Sequence, residues 1–110
     1  SNQMNFNEGI QERVDEICAN IIDRFHKMYP NLPGINVEQV FGKKFCKLIT
    51  RDKDGSGGSV LCFITADGDV YKPASWKAPA KHVRFRLLDD KSYEEALRRA
   101  EYSGGWLYMR

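Results

Sequence analysis

Ser59-Val-Leu-Cys62-Phe-Ile-Thr65-Ala-Asp67-Gly68-Asp69-Val-Tyr-Lys72 is the stretch that decides the fold. Val60 to Ile64 is a continuous apolar run bounded by Ser59 and Thr65. Such a run suits a central strand covered on both faces better than an edge strand. Asp67-Gly68 signals a tight hairpin turn, because glycine tolerates positive φ. Val70 to Lys72 begins the returning strand, and Pro73 limits it, since proline cannot donate to a strand ladder. A hairpin on a buried strand implies an antiparallel sheet.

Upstream, Lys43 to Arg51 alternates, with Cys46, Leu48 and Thr50 on one face and Lys43, Phe45, Lys47 and Ile49 on the other. Ile35 to Phe41 is a further candidate strand, closed by Gly42. Ahead of these lies the clearest periodicity of the chain. Ile10, Val14, Ile17, Ile21, Phe25 and Met28 recur at spacings of four and three, which lays one apolar stripe along a helix. Asn5 with Glu8 forms a capping-box pattern. Tyr29-Pro30 ends the helix, because the residue before proline avoids helical geometry, and Asn31 to Gly34 reads as a turn. The outer face carries Glu12, Asp15, Glu16 and Asp23 and reads as solvated.

Downstream, Ser75 to Lys81 reads as a loop and Val83 to Leu88 as a strand. Ser92 with Glu95 makes a second capping box, with Tyr93, Ala96, Leu97 and Ala100 at helical spacing. Gly104-Gly105 is expected to end that helix. Trp106 to Met109 is too apolar for a free tail and is expected to dock on the domain. The reading is α+β: an N-terminal amphipathic helix packed on an antiparallel sheet of three to five strands, with a second short helix near the C-terminus.

The 110 residues fit a single domain. Ser1-Asn2-Gln3 ahead of Met4 reads as an expression scar. No apolar run approaches membrane-spanning length and no signal peptide opens the chain, so a cytoplasmic protein without membrane partners is expected. Cys18, Cys46 and Cys62 are odd in number, lie inside apolar runs and form no C-x-x-C pair. That speaks against disulfides and zinc, and for reduced, buried thiols.

Charge is segregated. From Val70 to Leu88 there is no acid, while Lys72, Lys77, Lys81, Arg84 and Arg86 are basic and His82 lies among them. The chain carries +2; without these five cations, 12 basic residues would face 15 acidic ones, giving −3. Trp76 sits inside the basic stretch, with Tyr71 and Phe85 nearby. Cations neutralise phosphates and aromatic faces stack on bases. Lys72, Trp76, Lys77, Lys81, His82, Arg84 and Arg86 are therefore the candidate ligand-binding residues. The bland alternative is a solvated loop whose tryptophan covers the core edge. The pI near 8.4 is below that of a strongly basic binding domain. Lys43, Lys44, Lys47, Arg51 and Lys53 form a second basic run. If Lys43 and Lys47 share a sheet face with the first stretch, the two merge into one footprint.

Other motifs fall away. Asp52-Lys-Asp54-Gly-Ser56 resembles the start of a calcium loop, but the twelfth position is Phe63 where a bidentate glutamate is needed. Gly55, Gly57 and Gly58 lack the Gly-Lys-Ser/Thr ending of a phosphate loop. His26 and His82 are far apart, His26 reads as an exposed helix residue, and Cys62 with His82 has no supporting pattern. No catalysis and no cofactor are expected.

The segment Gly68-Asp-Val-Tyr-Lys-Pro-Ala-Ser-Trp76-Lys77-Ala-Pro79-Ala-Lys81-His-Val-Arg84 resembles one found in a family of small uncharacterised bacteriophage proteins, in which Gly-Asp-Ile/Val-Tyr-Lys runs into Trp-Lys-x-Pro-x-Lys. The strands between Lys43 and Thr65 look similar too, so the resemblance covers about half of the chain. Phe85-Arg86-Leu87-Leu88 departs from it where a glycine is expected. The resemblance implies a phage protein at work in host cytoplasm, with nucleic acid, a host or defence protein, or a signalling nucleotide as partner. The helix–sheet–helix order is similar to a double-stranded RNA-binding domain, but Lys77 to Lys81 precedes a strand instead of opening a helix.

Overall fold

The computed structural model describes residues 2–108. Five strands form one antiparallel meander in sequence order: β1 (Ile35–Phe41), β2 (Phe45–Asp52), β3 (Ser59–Thr65), β4 (Asp69–Tyr71) and β5 (Phe85–Arg86). Two helices accompany them, α1 (Glu8–Met28) and α2 (Asp90–Arg99), followed by a 3-10 turn over Gly105–Tyr108. The expected α+β architecture is therefore the observed one.

β3 sits in the middle of the sheet, and Leu61, Cys62, Phe63 and Ile64 are all buried. A bulge interrupts its pairing with β2: Leu48 faces Cys62, whereas Ile49 faces Val60. Leu61 is the extra residue. A bulge breaks strict alternation, so Leu61 and Cys62 both join the core. Phe63 then returns to the opposite face, opposite Lys47 on β2 and Tyr71 on β4.

The stripe on α1 packs as its spacing predicts. Ile10, Val14, Ile17 and Ile21 are buried against Cys46, Leu48, Cys62, Ile64 and Val70. The stripe thins at its end, where Phe25 is partly buried and Met28 exposed. Glu12, Asp15, Glu16, Asp23 and His26 are exposed. α2 lies beside α1: Arg13 donates to the Leu87 carbonyl (2.7 Å) and Asn20 to the Leu97 carbonyl (3.3 Å).

Several boundaries differ from expectation. α1 is capped by Asn7, not Asn5; the Asn7 Oδ1 accepts from Ile10 N at 2.9 Å. Phe6 is buried against Phe41, and its inward docking holds the chain extended up to Asn7. α2 is capped by Asp89, which accepts from Lys91 N and Ser92 N, and not by Ser92. Ser92 lies within the first turn, where its Oγ accepts from Arg86 N at 2.7 Å. α2 ends at Arg99, well before Gly104; Ala100 leaves helical geometry (ψ 132°) to bury itself in the core. Gly104, at φ 80°, instead opens the 3-10 turn.

The strand expected over Val83 to Leu88 shrinks to Phe85–Arg86, with His82 at φ 76° upstream and a turn into α2 downstream. Lys43 and Lys44 fall in the turn closed by Gly42 N to Phe45 O (2.8 Å), so β2 starts at Phe45. Between β3 and β4 runs a three-residue loop in which Gly68 takes φ 86°; Gly68 ends the turn instead of forming its centre. Trp106 and Leu107 dock as expected, Trp106 packing on Phe85 at 5.5 Å. Tyr108 stays exposed, and Met109 lies outside the described residues.

Candidate functional site

The helices pack on one face of the sheet. Over the other face reaches the segment from Pro73 to Lys81, which follows β4 and meets the sheet where Trp76 contacts Lys47. This loop closes on itself. Ala74 N and Ser75 N donate to the Ala78 carbonyl (2.9 and 3.1 Å), Ala80 N donates to Lys72 O (2.8 Å), and Pro73 bridges Pro79. Ser75 Oγ accepts from Lys77 N and Ala78 N. Trp76 and Lys77 stand at the tip.

Lys47 fixes that tip to the sheet. Its ammonium donates to the Trp76 carbonyl at 2.7 Å and lies 4.6 Å from the indole centroid and 5.8 Å from the Phe63 ring. Beneath it, Phe45 packs edge-on against Phe63 (5.7 Å) and Tyr71 (6.2 Å). Phe63 is only 3% exposed, whereas Trp76 is 49% exposed. The result is an aromatic platform with a half-exposed indole on its rim.

Beside the platform is a hollow of about 240 Å³, lined by Phe41, Phe45, Phe63 and the four lysines Lys43, Lys44, Lys47 and Lys77, with Val40 and Gly42. Two basic runs far apart in sequence thus meet here. Among the described residues, none of Lys43, Lys44, Lys47, Lys77 or Lys81 forms an ion pair. The acids that share this sheet face are occupied: Glu38 pairs with Arg51, and Asp69 with Arg86 at 3.4 Å. Unneutralised lysines close together raise the local potential for an anion.

The basic stretch from Val70 to Leu88 does not gather in one place. Lys77 joins the hollow and Trp76 sits beside it against Lys47; Lys81 and His82 are exposed at the loop's exit. Arg84 continues the ladder through its N–H to Val70 O (2.7 Å), and its Nε is buried without a hydrogen-bond partner among the described residues. Lys72 turns away, its ammonium 4.6 Å from the Tyr108 ring centroid. Arg86 lies at an acidic end of the molecule, in a hollow with Asp67, Asp69, Asp89 and Asp90. Arg51 and Lys53 also lie apart, Arg51 on Glu38 and Lys53 in an apolar hollow of about 560 Å³ with Phe25, Leu32 and Ile35.

Phe45, Phe63 and Lys44 belong to the site and escaped the sequence-level list. Lys44 was visible as part of a basic run. Phe45 and Phe63 become partners only through strand register, which the bulge at Leu61 sets.

The three cysteines are free and buried. Burial, helped for Cys18 by the nearby Asp15 carboxylate, pushes the Cys18 thiol up to about 12; burial alone takes Cys46 to about 12. Burial also drives Cys62 well above its ordinary value. Thiols held protonated are poor nucleophiles. Among the described residues no cluster of three histidine, cysteine or acidic side chains is arranged to hold a metal, and no helix is long and apolar enough to cross a membrane.

A family model described as "Family of unknown function (DUF7717)" matches residues 2–109. The chain belongs to DUF7717. That match spans both lysine runs, the aromatic platform and the Trp76 loop, so the whole arrangement falls within one DUF7717 domain. No curated protein and no solved structure matches the chain.

Proposed function

We propose that this DUF7717 protein is a non-enzymatic binding module for nucleic acid or another phosphate-rich ligand, encoded by a phage and acting in the host cytoplasm. The observation that carries this reading is Lys47, which ties the Trp76 loop to the sheet, so that Lys77 lines one hollow with Lys43 and Lys44 of the β1–β2 turn. Phosphate neutralisation needs such a cluster, and base stacking needs the adjacent rings. Three protonated, buried thiols offer no activated nucleophile, which favours binding over catalysis.

The test is binding of short DNA and RNA oligomers across a salt series. Affinity should fall as salt rises, and Lys77→Ala/Lys81→Ala should weaken binding about ten-fold and flatten the salt slope. Affinity indifferent to both would remove the reading.

A second reading is a protein-interaction module that inhibits a host or defence protein. The apolar C-terminal segment gives it little support, because Trp106 and Leu107 are core residues. It rests instead on Met28, Tyr29 and Leu32, which are exposed together at the end of α1. Nuclease treatment separates the two readings: a complex that survives it is built on protein contacts. A trap for a signalling nucleotide calls for a pocket of at least about 300 Å³, and the lysine-lined hollow, at about 240 Å³, is smaller.

A further inference from the structure

Resting on the nucleic-acid reading above, we infer that the ligand is single-stranded, with one unpaired base in the hollow against Phe45, which Phe63 backs from below, and its flanking phosphates on Lys43, Lys44 and Lys77.

Phosphate binding alone does not call for aromatic rings. Here the lysines border a hollow whose other walls are Phe41, Phe45 and Phe63. A base inside a duplex is stacked on both faces and has no free π surface to offer. An unpaired base does, and stacking on aromatic side chains is the usual way such bases are held. The size agrees: about 240 Å³ is below the roughly 300 Å³ at which clefts begin to enclose drug-sized molecules, so a base fits while its sugar and phosphates stay outside.

The lysines suit that arrangement. Lys43 and Lys44 occupy the turn between β1 and β2, and Lys77 the tip of a separate loop. They approach the hollow from two chain segments, as a backbone running past a seated base requires. Trp76, half exposed beside Lys47, offers a second stacking surface on the rim. Reading a duplex through its major groove calls for a helix or a two-stranded ribbon that enters the groove. These side chains instead stand on a turn and a loop above a sheet.

The hollow also predicts what is not read. No Asn, Gln, Asp or Glu lines it, so the side chains that pair with adenine and cytosine edges are missing, and lysine contact with guanine is the base-edge readout left to it.

The experiment compares labelled oligomers of about 12 nucleotides by fluorescence anisotropy: single-stranded DNA, single-stranded RNA, and a blunt duplex of the same sequence, each challenged with free mononucleotide. A single strand should bind about ten-fold tighter than the duplex at equal salt. The slope of log affinity against log salt should be about −2, as expected for three phosphate contacts on a single strand. The DNA and RNA arms identify the preferred backbone. Phe45→Ala should cost about ten-fold on the single strand and little on the duplex. Lys43→Ala/Lys44→Ala, in an exposed turn outside the core, should cost about as much without disturbing the fold. A duplex bound as tightly as the single strand, with the lysine variant weakening both, would overturn the single-strand inference and leave the nucleic-acid reading standing. So would displacement of the oligomer by equimolar mononucleotide. Absence of salt-sensitive binding in every arm would overturn both.

Discussion

The Lys47 ammonium is satisfied by a carbonyl and a ring. It pins the Trp76 loop without a carboxylate to neutralise its charge. The cysteines represent the opposite use of a side chain: their chemistry is suppressed. An unfolded chain ionises its thiols near pH 9, whereas burial holds Cys18 and Cys46 protonated until about pH 12. Across that window the unfolded chain binds fewer protons than the native one. Stability is thus fully present below pH 9 and declines above it, by on the order of 1 kcal/mol per pH unit for each such thiol. Denaturant unfolding at about pH 8 and pH 10 checks this. The loss between the two should be smaller in Cys18→Ala than in the parent chain; equal losses would contradict the assigned cause.

At the scale of elements, sequence patterns located every strand and both helices and placed β1 and β3 to the residue, but misplaced ends of α1, α2, β2, β4 and β5. Periodicity found α1 because four consecutive stripe residues, Ile10 to Ile21, face one core. Its cap was misread because the Asn5/Glu8 pattern carries no information about Phe6, whose burial decides where the helix starts. β5 was overestimated because the backbone reversal at His82 has no glycine to announce it. Lys47 and Trp76 were both legible as candidates, but their contact was not, since it depends on the path of the Pro73–Lys81 loop. Gly68 was read for its turn alone, and structure adds a packing role. A Cβ there would lie 3.1 Å from Leu87 Cβ and 3.6 Å from Ile10 side-chain atoms, at φ 86°. Gly68→Ala should therefore cost about 2 kcal/mol or more, combining left-handed strain with crowding between β4, β5 and α1. Urea unfolding measures it. A change below about 0.5 kcal/mol, the ordinary level for a surface substitution, would show that the turn adapts.

As a whole, the molecule divides its labour between the two faces of a single sheet. The helices close one face into the core; the loop from Pro73 to Lys81 and the lysines make the other into a surface. The division is recorded in the two tryptophans. Trp106 is 5% exposed and stacked on Phe85, whereas Trp76 is 49% exposed under the Lys47 ammonium. The protein therefore contains its own electrometer. Quenchers of opposite sign should distinguish the two indoles: iodide, drawn toward the lysines, should reach Trp76 far more readily than caesium does, and neither should reach Trp106. The excess of iodide over caesium quenching should shrink as ionic strength rises, and Lys77→Ala should reduce it. Equal quenching by both ions would mean that the indole feels no net positive field. The light emitted by one side chain thus measures, before any ligand is identified, whether the surface attracts anions.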